Sequence, residues 1–101
     1  MKNQKIIDMN GLLSFLILHE ISQNKLCGDE LADLIGKRKG NKLTPGTIYP
    51  ALKVLRENKL IILKQKGRKK IYSLTKKGKN ELNLCYKTFG NLFKGLKSKI
   101  K

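Results

Sequence analysis

One ten-residue stretch constrains the fold of this chain more than any other: Leu43-Thr44-Pro45-Gly46-Thr47-Ile48-Tyr49-Pro50-Ala51-Leu52. Thr44-Pro45 reads as a helix start, with a hydroxyl residue at the N-cap and proline at the first helical position, where its missing N–H is not needed. Ile48, Leu52 and Leu55 then recur at i, i+4 and i+7 with Ala51 between them, which gives one buried face. The opposite face carries Thr47, Tyr49, Lys53 and Arg56. Pro50 lies inside this helix, where it removes one backbone hydrogen bond and is expected to bend the first turns.

The segments on either side take their places around this helix. A first helix is expected over about residues 8–22, with Asp8 as its cap. Leu12, Leu13, Phe15, Leu16, Ile17, Leu18 and Ile21 cover most of its circumference, so it should be buried on several sides, by the rest of the domain and by a partner chain. Asn24-Lys25 reads as a turn. A second helix starts near Gly28; Asp29 and Glu30 fall in its first turn and complement the positive end of its dipole. Leu31, Leu34 and Ile35 form its apolar stripe, and Gly36 with the run Lys37 to Lys42 is expected to break it into a cationic loop.

Beyond Asn58-Lys59, the apolar run Leu60-Ile61-Ile62-Leu63 is too short for a helix. Lys66-Gly67-Arg68-Lys69 reads as a turn, and Lys70-Ile71-Tyr72-Ser73-Leu74 alternates like a strand. Together they predict a two-stranded hairpin with a tip made almost wholly of positive charge. Thr75 then caps a long last helix that is expected to reach about Lys99. In it Leu82, Cys85, Phe89, Leu92 and Leu96 follow a heptad seam, with Tyr86 and Phe93 beside it. Gly78, Gly90 and Gly95 weaken such a helix by up to about 1 kcal/mol each, so packing must hold it. The stripe points to a dimer interface; folding back onto the first helix is the other arrangement open to it.

Charge narrows the partner. The formal net charge is +16 over 101 residues. Residues 1–36 hold three bases and five acids, for −2, whereas residues 37–101 hold twenty bases and two acids, for +18. A field of that size opposes compaction and calls for a polyanion: nucleic acid, an anionic membrane surface or ribosomal RNA. No apolar segment is long enough to span a bilayer, since the run from Leu12 ends at His19-Glu20 and lacks a secretory cleavage site. Cys27 and Cys85 form no CxxC pair and read as small buried hydrophobes in a reducing, cytoplasmic setting. His19 is the single histidine, and no acid-base partner is evident for it. Asp29, Glu30 and Asp33 read as a solvated face. With no phosphate-binding glycine loop and no metal-ligand spacing, neither an enzyme nor a bound cofactor or metal is expected.

The predicted fold is therefore mainly α with a small β hairpin: helix, short helix, loop, helix, basic hairpin, long helix. That is the order of a winged helix-turn-helix, in which the third helix enters the major groove and the hairpin tip reaches the flanking backbone. Here a specific resemblance emerges. The stretch Leu43 to Leu52, with Leu55 and Leu60-Ile61 after it, resembles the signature of PadR-like transcriptional regulators. Gly67-Arg68-Lys69-Lys70-Ile71-Tyr72-Ser73-Leu74-Thr75, followed by Gly78, is similar to that family's wing, and Gly28, Glu30 and Leu31 match its second helix. Asp29 stands where the family usually has tyrosine.

The resemblance implies a dimeric, repressor-like regulator. By position, Thr44, Gly46, Thr47, Tyr49 and Lys53 would face DNA and Arg68 and Lys69 would be wing contacts. Lys42, Arg56, Lys66 and Lys70 join them as neighbouring cations. Set against this, Tyr49 could pack on the hairpin, Thr47 could be a solvated hydroxyl and the wing cations a solubilising turn. Residues 1–75 would form the DNA-binding unit and residues 76–101 a dimerisation helix within the same compact body, using Leu82, Cys85, Tyr86, Phe89, Leu92, Phe93 and Leu96. Some relatives bind planar effectors between aromatic residues at the dimer centre. This chain has no tryptophan, so Phe15, Phe89 and Phe93 are read as core packing. The expected function is sequence-specific regulation on double-stranded DNA by a homodimer at the nucleoid. The alternatives are a non-specific architectural DNA binder and an RNA- or ribosome-associated protein. The last is disfavoured because duplex RNA hides its major groove from helices.

Overall fold

The computed structural model describes residues 9–99. Four helices, α1 (Met9–Gln23), α2 (Gly28–Lys39), α3 (Pro45–Glu57) and α4 (Lys76–Leu92), surround a hairpin of β1 (Ile61–Lys66) and β2 (Lys69–Leu74), and a short 3-10 turn follows at Lys97–Lys99. Asp8, the expected cap of α1, lies outside the described residues.

The core forms where the apolar stripes of the helices meet. Ile17, Leu18 and Ile21 of α1, Leu31, Ala32 and Ile35 of α2, and Ile48, Leu52 and Leu55 of α3 are all buried. Ile61, Tyr72 and Leu82 close the cluster from the hairpin and α4, while Leu13, Phe15 and Leu16 pack on its margin. One charge enters this interior. Glu20 is buried, and its Oε2 accepts from Arg38 Nη2 at 2.9 Å and Nε at 3.1 Å, which ties α1 to the last turn of α2.

Two helix ends differ from expectation. Gly36 does not break α2; it is buried inside the helix, which runs on to Lys39 and closes on Gly40 at φ 100°. A Cβ at position 36 would collide with the Asn41 carbonyl and Lys42 Cα, so the glycine lets the chain fold back over α2. Leu43 N–H then donates to the Ala32 carbonyl at 3.2 Å and fixes the approach to α3. The last helix ends at Leu92, short of Lys99: Phe93 is its C-cap and Gly95 turns the chain at φ 82°. No buried residue follows Phe89 among the described residues, so nothing within the fold offsets the weak helix propensity of Gly90 and Gly95.

The hairpin pairs Ile61 with Leu74 through to Lys66 with Lys69, which leaves Gly67 and Arg68 as a two-residue tip. Both strands thus run further into the charged region than the apolar runs alone indicated. Leu26 adds a bridge on the outer strand, its carbonyl accepting from Tyr72 N–H at 2.9 Å. Thr75 caps α4 as expected: its hydroxyl accepts from Gly78 N–H at 2.9 Å and donates to the Lys59 carbonyl at 2.6 Å.

Candidate nucleic-acid interface

The leading edge of α3 is built by the cap. Thr44 takes the N-cap backbone conformation, and its carbonyl accepts from Thr47 N–H at 2.9 Å and Ile48 N–H at 3.0 Å. Its side chain does not close the cap as the residue type suggested. The Thr44 hydroxyl instead lies 3.1 Å from the Thr47 hydroxyl, on the exposed surface. Thr44, Gly46 and Thr47 therefore stand together at the exposed tip of the helix, with Lys53 and Arg56 exposed further along it. A Cβ on Gly46 would meet nothing closer than the Thr44 hydroxyl at 3.9 Å, so packing within the chain does not require glycine there.

Tyr49 is both a packing residue and a surface residue. Its ring covers Gly28 at the start of α2, where an added Cβ would come within 2.6 Å of it, and yet 46% of the residue is exposed. The alternative reading of Tyr49 as a packing residue thus has a contact on α2 that the sequence did not indicate. With Asp29, Lys42 and Pro45 it lines an open cleft of about 330 Å³ between α2 and α3.

Lys66, Arg68, Lys69 and Lys70 are all exposed around the hairpin tip. Two of the expected DNA-facing cations hold acids of α2. Lys42 Nζ lies 2.9 Å from Asp29 Oδ1, and Lys69 Nζ lies 3.2 Å from Glu30 Oε2. Glu30 also accepts from Cys27 N–H at 3.0 Å. That backbone bond, and then Lys69, hold its carboxyl below the ordinary value, while Asp29 raises the Lys42 ammonium.

The expected dimerisation residues divide into two groups. Leu82, Cys85 and Phe89 are buried inside the chain, where Phe89 stacks on Phe15 with ring centres 4.6 Å apart. Three of the five seam residues are thus buried within one chain, and the Phe89 ring packs against α1. Burial, with Glu81 adding to it, pushes the Cys85 thiol up to about 11, as suits a residue serving as a hydrophobe. Leu92, Phe93 and Leu96 are exposed, and so is Leu84, at 55%, which the heptad pattern did not single out, whereas Tyr86 sets its ring edge-on to Phe15 with ring centres 5.5 Å apart. His19 has a partner that the sequence concealed: its Nδ1 shares a 2.6 Å hydrogen bond with the Tyr86 hydroxyl.

Residues 17–84 match the model of the transcriptional regulator PadR-like family, about two thirds of the chain, from the second half of α1 through α2, α3 and the hairpin into α4. The chain belongs to the PadR-like family of transcriptional regulators. Among solved structures, it is similar to a PadR-like transcriptional regulator from Bacillus cereus (29% identity, 94% of each chain covered, TM-score 0.75). It is also similar to a putative transcriptional regulator from Thermoplasma acidophilum (26% identity, 92% of this chain and 95% of that one, TM-score 0.69). A Streptococcus transcriptional regulator matches as well (25% identity, 89% and 93% covered, TM-score 0.73). No curated protein matches the sequence.

This PadR-like chain is thus a transcriptional regulator with a winged-helix DNA-binding fold. Among the described residues, none of its helices is long and apolar enough to cross a membrane. What sequence reasoning missed at the site is the engagement of Lys42 and Lys69 by acids. Asp29 and Glu30 carry a local signal as first-turn acids, and that signal accounts fully for their presence in a helix. Their partners lie thirteen and thirty-nine residues away, and no periodicity reports contacts of that span.

Proposed function

We propose that this chain binds double-stranded DNA sequence-specifically as a homodimer, represses transcription from the site it covers, and works by binding without a catalytic step. The tip of α3 carries the reading. Thr44, Gly46 and Thr47 stand exposed at a helix N-terminus, with Lys42 just before them in the chain, and Lys66, Arg68, Lys69 and Lys70 are exposed on the hairpin. A helix tip of this kind suits the major groove, with backbone N–H groups facing phosphate, Lys53 and Arg56 following the backbone, and the wing reaching the flanking duplex. The Tyr49 ring borders the same surface from its seat on Gly28. Base contacts in this reading come from α3, and affinity comes chiefly from the cations.

A second copy would cover the exposed Leu92, Phe93 and Leu96, apolar or aromatic side chains at the end of α4 and in the turn after it. Two-fold symmetry then presents two copies of α3 to successive major grooves. Selection from random duplexes should return a pseudo-palindrome with half-sites roughly 10 bp apart, or a multiple of that. Recovery of no motif, with tight salt-dependent binding to every duplex, would replace this reading with that of an architectural DNA protein.

A further inference from the structure

The cations of the proposed DNA face fall into two classes. Lys53, Arg56, Lys66, Arg68 and Lys70 make no ion pair among the described residues, whereas Lys42 and Lys69 are each held by a carboxylate. The holding acids, Asp29 and Glu30, are adjacent in the first turn of α2. The two lysines come from different elements, one from the loop before α3 and one from the first residue of β2. Pairs this exposed add little to stability. The consequence of the arrangement falls instead on what the two lysines are free to bind.

We propose that Asp29 and Glu30 are specificity-determining residues that keep Lys42 and Lys69 off phosphate in loosely fitting DNA complexes and release them in the fully docked one. The inference rests on the DNA-binding reading above. Non-specific complexes draw almost all their affinity from cations that displace condensed counterions, and each phosphate neutralised adds about 0.9 to the salt slope. A lysine already paired must give up its carboxylate first, and that carboxylate also repels the incoming phosphate. When α3 is seated in the groove, phosphates are held at fixed positions beside the loop and the wing, and exchange of carboxylate for phosphate becomes favourable. In a sliding complex no phosphate is so held, and the pairs persist. Two cations are thereby withheld from non-specific binding by a chain whose second part carries +18.

The experiment compares Asp29→Asn and Glu30→Gln with the unaltered protein. Binding is measured between 50 and 300 mM KCl on a selected duplex and on a shuffled duplex of the same composition (~30 bp each, three turns of B-form helix). The glutamine keeps an oxygen to accept from Cys27 N–H, and thermal melts verify that both variants fold. Asp33→Asn is the control: it removes the same charge from the same helix, but the ion pair of Asp33 is with Lys37 one turn away, at 4.0 Å, and its effect on Lys42 is smaller than that of Asp29. Each test variant should tighten shuffled-duplex binding on the order of three- to tenfold at the lowest salt and steepen its slope by about 1, with a smaller change on the selected duplex. Equal shifts in Asp33→Asn would reduce the effect to bulk charge and overturn the proposal, as would unchanged slopes in the test variants. Failure of the unaltered protein to bind either duplex would instead remove the DNA-binding reading, and this inference with it.

Discussion

Helices α3 and α4 each bury one face in the same core, and their outer faces differ in kind. Outside, α3 shows hydroxyls, a half-packed tyrosine and cations, with Val54 as its one exposed large aliphatic side chain among the described residues. The end of α4 and the turn after it show Leu92, Phe93 and Leu96, with Phe93 at 49% and Leu92 at 46% exposed. The first surface is stable in water by itself and gains from a polyanion. The second gains from removing water, so it calls for an apolar partner surface. The difference shows that a buried stripe says little about a helix's role here; the outward residues separate the two.

The strongest way to break this contrast is to attack what the two chain ends share. Phe89→Ala removes the ring stacked on Phe15 and should cost about 3–5 kcal/mol by chemical denaturation. A loss below about 1 kcal/mol would mean that the α1–α4 contact is not part of the core. Next comes the outer apolar surface. Replacing Leu92 and Phe93 together by aspartate changes two half-exposed positions, so the fold should survive while the sedimentation mass halves. An unchanged mass in a folded double variant would rule out this surface as the interface. Aspartate at Phe89 would not serve, because its unfolding would mimic dissociation.

On the α3 side, Gly46→Ala separates stability from binding. Alanine should stabilise the helix by up to about 1 kcal/mol, because nothing in the chain crowds the new Cβ. It should weaken DNA binding at the same time, by filling space at the tip. A rise in melting temperature with unaltered affinity would show that DNA does not approach there. The smallest effect is a pH dependence. Glu30 sits below its ordinary value of 4.5, so its contribution is present above that pH and is lost as the pH falls through the lowered value. Acid titration of Glu30→Gln should lack this slight loss; identical curves would show that ionisation of Glu30 contributes nothing to stability.

Helix α3 and the hairpin were legible because their signals are local. Thr44-Pro45, the spacing of Ile48, Leu52 and Leu55, and the strand alternation up to Leu74 all act within a few residues of backbone. The misreadings share a cause. Gly36 looked like a helix breaker by propensity, but the demand for it comes from Asn41 and Lys42 crossing above. For Tyr49, read as DNA-facing with packing on the hairpin as the alternative, nothing local names its contact with Gly28. The heptad seam from Leu82 to Leu96 is real as a pattern, and its division into inward Leu82, Cys85 and Phe89 and outward Leu92, Phe93 and Leu96 is invisible to spacing.

Sequence alone therefore determined the order of elements, the exposed tip of α3, the cationic wing and the family to which they belong, since each follows from short-range propensity or from a contiguous motif. Tertiary structure decided which apolar residues α1 claims from the seam, which lysines are held by Asp29 and Glu30, and where α4 stops. Those outcomes depend on side chains brought together from distant parts of the chain, such as Phe15 with Phe89 and Glu30 with Lys69. A local pattern shows that a residue can be buried or paired; its partner is chosen by the packing of the whole chain.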